Sequence, residues 1–365
     1  MPLNIIIIGY GLIGPRHAKS VLQHPSTTLL ALIDPSPTAL TTASSLQTLS
    51  FPSLSALLST PNIPHPDAAI ICTPNHTHVP IALACLNANI HILLEKPISD
   101  GISTAVPLLR AVQGYPELKV LIGHHRRFNP YVVKMKEVVE EGLLGRVIAV
   151  TGMWTICKPD GYFAAPSEWR KEGGRGGVLG INFIHDVDLL HFLFGPVGRV
   201  YAERTIPQRS LDDPSHTAEE GAAITLRFVS GVVGTFVVCD ATPAPWSFEV
   251  GTGENPLIPR VGSEDGHGFG GGFYRVVGTR GALSVPDLKR WSYDGGERGW
   301  GRKGVPFDLQ LGHFVDLIEG REERVRCDVV EGLRALVVVD AVKRALEGEC
   351  VVDVEDVRDV LEKMD

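Results

Sequence analysis

Near the start of the chain, apolar residues fall in short unbroken blocks separated by stretches where they recur at helical spacing. Residues 4–9, 27–34, 67–73, 91–95 and 119–123 form such blocks, and runs without polar alternation suit strands buried on both faces of a sheet. Helical patterns such as Pro15, His17, Ala18, Val21 and Leu22 lie between them. Alternating strands and helices predict a doubly wound parallel sheet. After residue 145 the pattern changes to strand-like segments at 146–154, 199–207, 220–229, 232–241, 273–279 and 281–286, joined mainly by turns. Consecutive strands without intervening helices predict a mostly antiparallel sheet in an α+β domain. The expected division is therefore 1–125 and 126–365. The glycine-rich stretch 251–273 reads as a loop over a site, and the apolar run from Gly332 to Leu346 as a buried closing helix.

The first block runs into Gly9-Tyr10-Gly11-Leu12-Ile13-Gly14, a G-x-G-x-x-G turn between a strand and a helix. Gly9 permits the tight turn, Gly11 lets backbone approach a pyrophosphate, Gly14 lets the helix pack closely, and the helix amino end takes the phosphates. This predicts a Rossmann domain. The next strand ends in Asp34, about 20 residues on, where an acid accepts hydrogen bonds from the adenosine ribose. Its charge opposes a 2′-phosphate, so NAD is expected over NADP. The competing reading of Asp34 is a turn starter before Pro35.

Composition narrows the partners. A net charge of −8 and 44% hydrophobic residues describe an ordinary globular chain with no basic face for nucleic acid. Neither a signal peptide nor a run of membrane-spanning length is read, so the expected setting is cytoplasmic and the expected partner a small molecule. The 6 cysteines are scattered without a C-x-x-C pair. Reduced thiols and no metal site are expected.

The chemistry concentrates at strand ends. Thr73, Pro74 and Asn75 follow one strand, and Glu95-Lys96-Pro97 follows another, the edge where open α/β sheets bind ligands. A lysine there is a candidate general acid or base, because burial and a nearby positive ring lower its proton affinity. On spacing alone, a surface Glu-Lys pair has equal standing.

The glycine turn, then Cys72-Thr73-Pro74-Asn75-His76-Thr77-His78, then Glu95-Lys96-Pro97 resemble in order and spacing the Gfo/Idh/MocA family (glucose-fructose oxidoreductase, inositol dehydrogenase, rhizopine catabolism). Arg127-Phe128-Asn129-Pro130, Trp169-Arg170 and Gly278-Thr279-Arg280-Gly281-Ala282-Leu283 extend the similarity over nearly the whole chain. The resemblance implies an NAD-binding Rossmann domain, a second domain with a large open sheet, and a homo-dimer or homo-tetramer. It also implies hydride transfer at a secondary alcohol or ketone of a sugar, cyclitol, sugar acid or related molecule. Lys96 would be catalytic, while Thr73, Pro74, Asn75, His78 and Glu95 would join Gly9, Gly11, Leu12, Ile13, Gly14 and Asp34 around the cofactor.

The family's other catalytic group would lie on the segment Asn182-Phe183-Ile184-His185-Asp186-Val187-Asp188. Asn182, His185 and Asp188 are spaced to share one helix face. His185 is suited to relaying a hydroxyl proton, and Asp188 either orients its ring or serves the fold. The commonest family pattern has a carboxylate four residues before this histidine, where Ile181 stands here. Asn182 is the expected substitute, and an amide binds a hydroxyl without carrying charge. Arg126, Arg127, Arg170 and Arg175 offer a carboxylate-binding edge or merely pair with acids, and Trp246 and Glu249 are weaker neighbours of the substrate. Two other functions fit the same residues: transient oxidation by tightly held NAD without net redox change, and a non-catalytic NAD-responsive regulator.

Overall fold

The computed structural model describes residues 1–165, 167–254, 272–293 and 304–364. The chain divides into two compact units, one formed by Met1–Phe128, Val305–Leu333 and Leu361–Asp365, the other by Asn129–Gly304 and Arg334–Val360.

The first unit holds a six-stranded parallel sheet: β1 (Leu3–Ile8), β2 (Thr27–Ile33), β3 (Leu49–Phe51), β4 (Ala68–Ile71), β5 (His91–Leu94) and β6 (Val120–Ile122). Its order is β3-β2-β1-β4-β5-β6, with the chain reversing direction of growth between β1 and β4. That reversal places the ends of β1 and β4 at the switch point where such sheets bind ligands. Ile5, Ile6, Ile7, Ala68, Ile70 and Ile71 are all fully buried, as a sheet covered on both faces demands.

The segment from Val305 to Leu333 joins the residues before Asn129 in this unit. Phe307 at the start of the helix Pro306–Ile318 is buried, stacks on His125 at 4.2 Å and meets the edge of His17 at 5.2 Å. Ser20 donates to Asp308 at 2.6 Å, and the Ile122 amide donates to the Cys327 carbonyl at 2.9 Å. Aromatic burial and a backbone bond at a sheet edge outweigh sequence distance. The expected closing helix is longer than its apolar run, spanning Val329–Gly348.

The second unit holds an eight-stranded sheet built from β7 (Val147–Thr155), β8 (Val197–Arg204), β9 (Gly221–Phe228), β10 (Val233–Cys239), β11 (Tyr274–Gly278), β12 (Ala282–Val285), β13 (Arg290–Trp291) and β14 (Val352–Asp353). The order is β13-β12-β11-β7-β10-β9-β8-β14, antiparallel except where β7 and β10 run parallel. Strict alternation along β9 buries Ala222, Ile224, Leu226 and Phe228 and exposes the residues between them, so one face carries the core and the other stays open. Trp154, Phe183, Phe228, Phe236 and Tyr274 fill the covered face. The helix Ile184–Phe194 lies in this core. The glycine-rich stretch read as a loop falls largely outside the described residues. Among those described, no helix is long and apolar enough to cross a membrane.

Candidate active site

In the first unit the three glycines of the turn answer three different demands. Gly9 has φ 91°, and a Cβ there would sit 2.8 Å from the backbone of Cys72 and Thr73. A Cβ on Gly14 would meet the Gly9 carbonyl at 2.6 Å, whereas at Gly11 it would meet nothing within 4 Å. Gly11 is thus not needed by the protein's own packing; open space beside bare backbone is what a pyrophosphate uses. Leu12 is exposed beside it and Ile13 is half-buried. Asp34 accepts the Tyr10 amide at 2.7 Å and the Ser36 amide at 2.8 Å. Burial pushes its carboxyl up, but the hydrogen bonds from Ser36 and Tyr10 outweigh this and hold it below the ordinary range. It therefore starts the turn and also keeps an ionised oxygen pair at the end of β2. Open backbone at Gly11 and an anion at Asp34 fit a dinucleotide.

The wall formed after β4 and β5 is braced from behind. His78 is buried, with Nδ1 2.8 Å from the Pro97 carbonyl and Nε2 2.8 Å from the Thr73 carbonyl. It ties together the two loops that carry Thr73, Pro74 and Asn75 on one side and Lys96 on the other. Burial lowers the proton affinity of His78, with the two carbonyls and Glu95 acting in the opposite sense. Thr77 donates to the Thr73 hydroxyl at 2.7 Å. The Lys96–Pro97 peptide is cis.

Glu95 faces inward. Its Oε1 lies 2.7 Å from His17 Nε2, and its Oε2 accepts the Lys96 amide at 3.2 Å. A Cβ at residue 123 would approach the Glu95 Cα to 2.9 Å, so Gly123 makes room for it. Burial raises the Glu95 carboxyl, but the His17 hydrogen bond and the positive field of His17, His125 and Lys96 bring it down to about 2. The same anion, with burial as the larger cause, pushes the Cys72 thiol well up. Glu95 braces Lys96 where the sequence suggested a cofactor contact. His17 was missed as a partner; its signal was a polar side chain on the apolar face of the helix Gly14–Gln23.

Arg127 also belongs to this unit. Its guanidinium donates to the Arg326 carbonyl at 2.7 Å and to Glu331 at 2.8 Å while 2% exposed. Of the two readings of the arginines, pairing with an acid describes Arg127, and Arg126 is as deeply buried.

In the second unit the polar stripe is not one regular helical face. Leu179–Phe183 is a π-helical turn, and the α-helix starts at Ile184. Asn182 lies on the wider turn and His185 and Asp188 lie on the regular helix, so simple three-residue spacing fails at Asn182. Extra residues of this kind often accompany functional sites. The turn is anchored by Glu219, whose carbonyl accepts the Val178 amide at 3.1 Å and whose carboxylate accepts the Leu179 amide at 3.2 Å. His185 is 7% exposed and Asp188 is 1% exposed. Between them on the same helix, Asp186 accepts from the Tyr274 hydroxyl.

Asn182 accepts from Lys158 Nζ at 2.6 Å, a contact absent from the sequence reading. The available signal was Lys158-Pro159 just beyond a strand, the same local arrangement as Lys96-Pro97. Lys158 stands 4.4 Å above the Tyr162 ring, and Arg170 lies 4.0 Å from that ring while donating to the Tyr162 carbonyl at 2.9 Å. Trp169 is half-buried beside Arg170. Arg175 pairs with Glu172 at 2.8 Å in the open, and Glu249 accepts from buried Trp154 at 2.7 Å, so both have local structural partners. A groove of 510 Å³ on the sheet is lined by Thr151, Tyr201, Glu203, Thr235, Trp246 and Arg275. Lys158, Asn182 and His185 do not border it, which separates it from the polar stripe.

Comparison with known families matches residues 3–123 to the Gfo/Idh/MocA oxidoreductase family, NAD-binding Rossmann fold, and residues 136–354 to that family's C-terminal α/β domain. The chain belongs to the Gfo/Idh/MocA oxidoreductase family. NAD is the cofactor its nucleotide-binding domain takes. Inositol 2-dehydrogenase of Rhizobium meliloti is 27% identical over 63% of this chain and 67% of its own length. Myo-inositol 2-dehydrogenase of Thermotoga maritima is 26% identical over 64% of this chain and 67% of its own. Across these and two uncharacterised oxidoreductases the matches span 63% to 67% of the relatives' lengths. Among solved structures, scyllo-inositol dehydrogenase of Lactobacillus casei with NAD(H) and scyllo-inositol superposes with TM-score 0.75 at 20% identity, over 97% of this chain and 99% of that one. An oxidoreductase of Desulfitobacterium hafniense reaches 0.79 at 19% identity, over 99% of each chain. At such identities the structural likeness speaks for the fold.

Proposed function

We propose that this protein is an NAD-dependent oxidoreductase that moves a hydride between nicotinamide and a secondary alcohol or ketone of a sugar, cyclitol or sugar acid. The observation that carries this reading is Lys96, held at the end of β5 by the inward Glu95 and by the His78 brace in the family's nucleotide-binding domain. Named relatives that act on inositol, D-xylose and levoglucosan support the substrate class.

When bound, NAD supplies the hydride chemistry. Lys96 holds or receives the proton of the reacting hydroxyl, and His185 relays it. Asn182 positions a substrate oxygen, Asp188 supports the His185 helix face, and Trp169 with Arg170 borders the sugar. Gly9, Gly11, Leu12, Ile13 and Gly14 take the pyrophosphate, Asp34 the ribose, and Thr73, Pro74 and Asn75 the nicotinamide side. The open sheet face supports a homo-dimer or homo-tetramer, to be read from the solution mass.

The test is formation of NADH, followed by its absorbance, with NAD and a panel of myo-inositol, scyllo-inositol, D-xylose, levoglucosan and D-glucuronate. Net NADH with one or more of them is the expected result. Substrate consumption without net NADH would replace this reading by transient oxidation, and NADH binding with no turnover of any kind would replace it by a regulator.

A further inference from the structure

Lys158 is placed by more contacts than a surface lysine needs. Its side chain is 5% exposed, with Nζ 3.2 Å from Asp240 Oδ2 and 2.6 Å from Asn182 Oδ1. Its backbone amide donates to the Asp240 carbonyl at 2.9 Å, and its carbonyl accepts from Arg209 at 3.2 Å. Arg209 lies 2.6 Å from the other Asp240 oxygen and 3.8 Å from Glu220, while Glu220 also accepts the amides of Gln208, Arg209 and Ser210. Lys158 and Arg209 therefore face Asp240 and Glu220 as two cations against two anions. His216 adjoins them, and burial lowers its proton affinity.

We propose that Lys158 is a positioning residue of the substrate site, which holds the carbonyl oxygen of Asn182 and makes position 182 a pure hydrogen-bond donor to a substrate oxygen. The inference deepens the functional reading above and rests on it. An ammonium has donors and no acceptor, so the Asn182 atom against Nζ must be oxygen. The amide nitrogen is left for the other side. Asn182 is half-buried where Lys158 is buried, and among the described residues its nitrogen meets no protein acceptor. A donor fixed in this way donates alike to a hydroxyl oxygen and to the carbonyl oxygen that replaces it, so it serves both directions of the reaction. It rejects an ammonium or other donor-only group at the same place, because two donors would face each other.

The experiment has two arms. The first uses no turnover. Thermal stability is followed from about pH 5 to 8 for Asn182→Asp and for Lys158→Met/Asn182→Asp. Facing the ammonium, the new carboxylate is stabilised in its charged form and stability holds or rises with pH. Without the ammonium the half-buried carboxylate faces Asp240 and prefers its proton, and stability falls as pH rises. Opposite slopes are expected; identical slopes would overturn the contact. The second arm measures Lys158→Met and Lys158→Gln with the best polyol of the panel. KM should rise by roughly tenfold or more, with a smaller change in kcat and with NADH affinity unchanged by fluorescence titration. Lys158→Gln, which keeps one donor toward Asn182, should recover part of the loss. A lower melting temperature with KM and kcat unchanged in both variants would make Lys158 a structural pin and overturn the proposal. A wild-type protein inactive on the whole panel would instead reject the functional reading, and the stability slopes would still decide the contact.

Discussion

His17 Nε2 and Glu95 Oε1 stand 2.7 Å apart, across 78 residues of chain. The contact joins the helix that follows the glycine turn to the residue before Lys96, and both side chains are buried. The Lys96 amide bonds the same carboxylate, so Glu95 links the glycine-turn helix to the Lys96 backbone.

Loss of that contact should be costly. The Glu95 carboxyl is depressed to about 2 from 4.5, so the folded state prefers the ionised form and gains stability above the ordinary value. This gain is lost as pH falls from 4.5 through about 2. His17→Ala leaves a buried anion short of its main donor and should destabilise by roughly 3–5 kcal/mol at neutral pH. Glu95→Gln should cost less and should remove part of the acid dependence in that window. Urea unfolding at pH 7, 4.5 and 3 (~ the window set by linkage) measures both, and an unchanged acid slope in Glu95→Gln would reject the assignment.

Glu219 should behave in the opposite way. Burial raises its carboxyl, and Lys343 and the Leu179 amide offset this only partly. A raised carboxyl contributes stability below its unfolded value, and that contribution is lost as pH rises through the folded one. Glu219→Gln keeps an oxygen for the Leu179 amide, so stability at neutral pH should be unchanged or higher, with a flatter pH dependence. Gly177→Ala should be harmful, because φ is 90° there and the new Cβ would lie 2.1 Å from the Glu219 carboxylate. Melting curves of the two variants at about pH 5 and 8 separate them.

The parallel sheet was legible because β1, β2, β4 and β5 are mainly apolar runs, and the cofactor turn because its glycine spacing falls between a strand and a helix, with steric causes at Gly9 and Gly14 and open space at Gly11. The strand β3, Leu49-Ser50-Phe51, was not, since three residues show no period and owe their state to β2 alongside. The same holds for the two-residue strands β13 and β14. The return of Val305–Leu333 to the first unit was hidden for another reason: it rests on contacts such as Phe307 with His125 that no local pattern encodes. Of the residues assigned to the proposed site, Lys96 and His185 were singled out through the family resemblance, and Asn182 through a three-residue spacing that the π-helical turn breaks. Lys158 and His17 were not, because a buried polar group is recognised by its partners, and Asp240 and Glu95 are far from them in sequence.

Asp34 should govern the choice between NAD and NADP. Its carboxylate is held below the ordinary range, so it stays charged at neutral pH and repels a 2′-phosphate. Asp34→Ala should raise affinity for NADPH relative to NADH by about fivefold, the scale of ~1 kcal/mol for two unit charges near contact in water. Fluorescence titration with the two reduced cofactors reads the ratio, and tighter NADPH binding by the unaltered protein would reject this role.

Lys96 and His185 make different predictions for the pH–rate profile. Replacing Lys96 by Met keeps the length of the side chain and removes the amine, so turnover should fall by roughly 10²–10⁴ while NADH still binds. An active Lys96→Met enzyme would remove it from the chemistry, and loss of NADH binding would make it a cofactor contact. His185 is expected to act as the base whose protonation shapes the acidic limb of kcat/KM. His185→Ala should then lower the rate and flatten that limb. Asn182→Ala should weaken substrate use and leave the limb in place, because an amide does not titrate. If His185→Ala remains active and keeps the wild-type acidic limb, the relay is carried by another group.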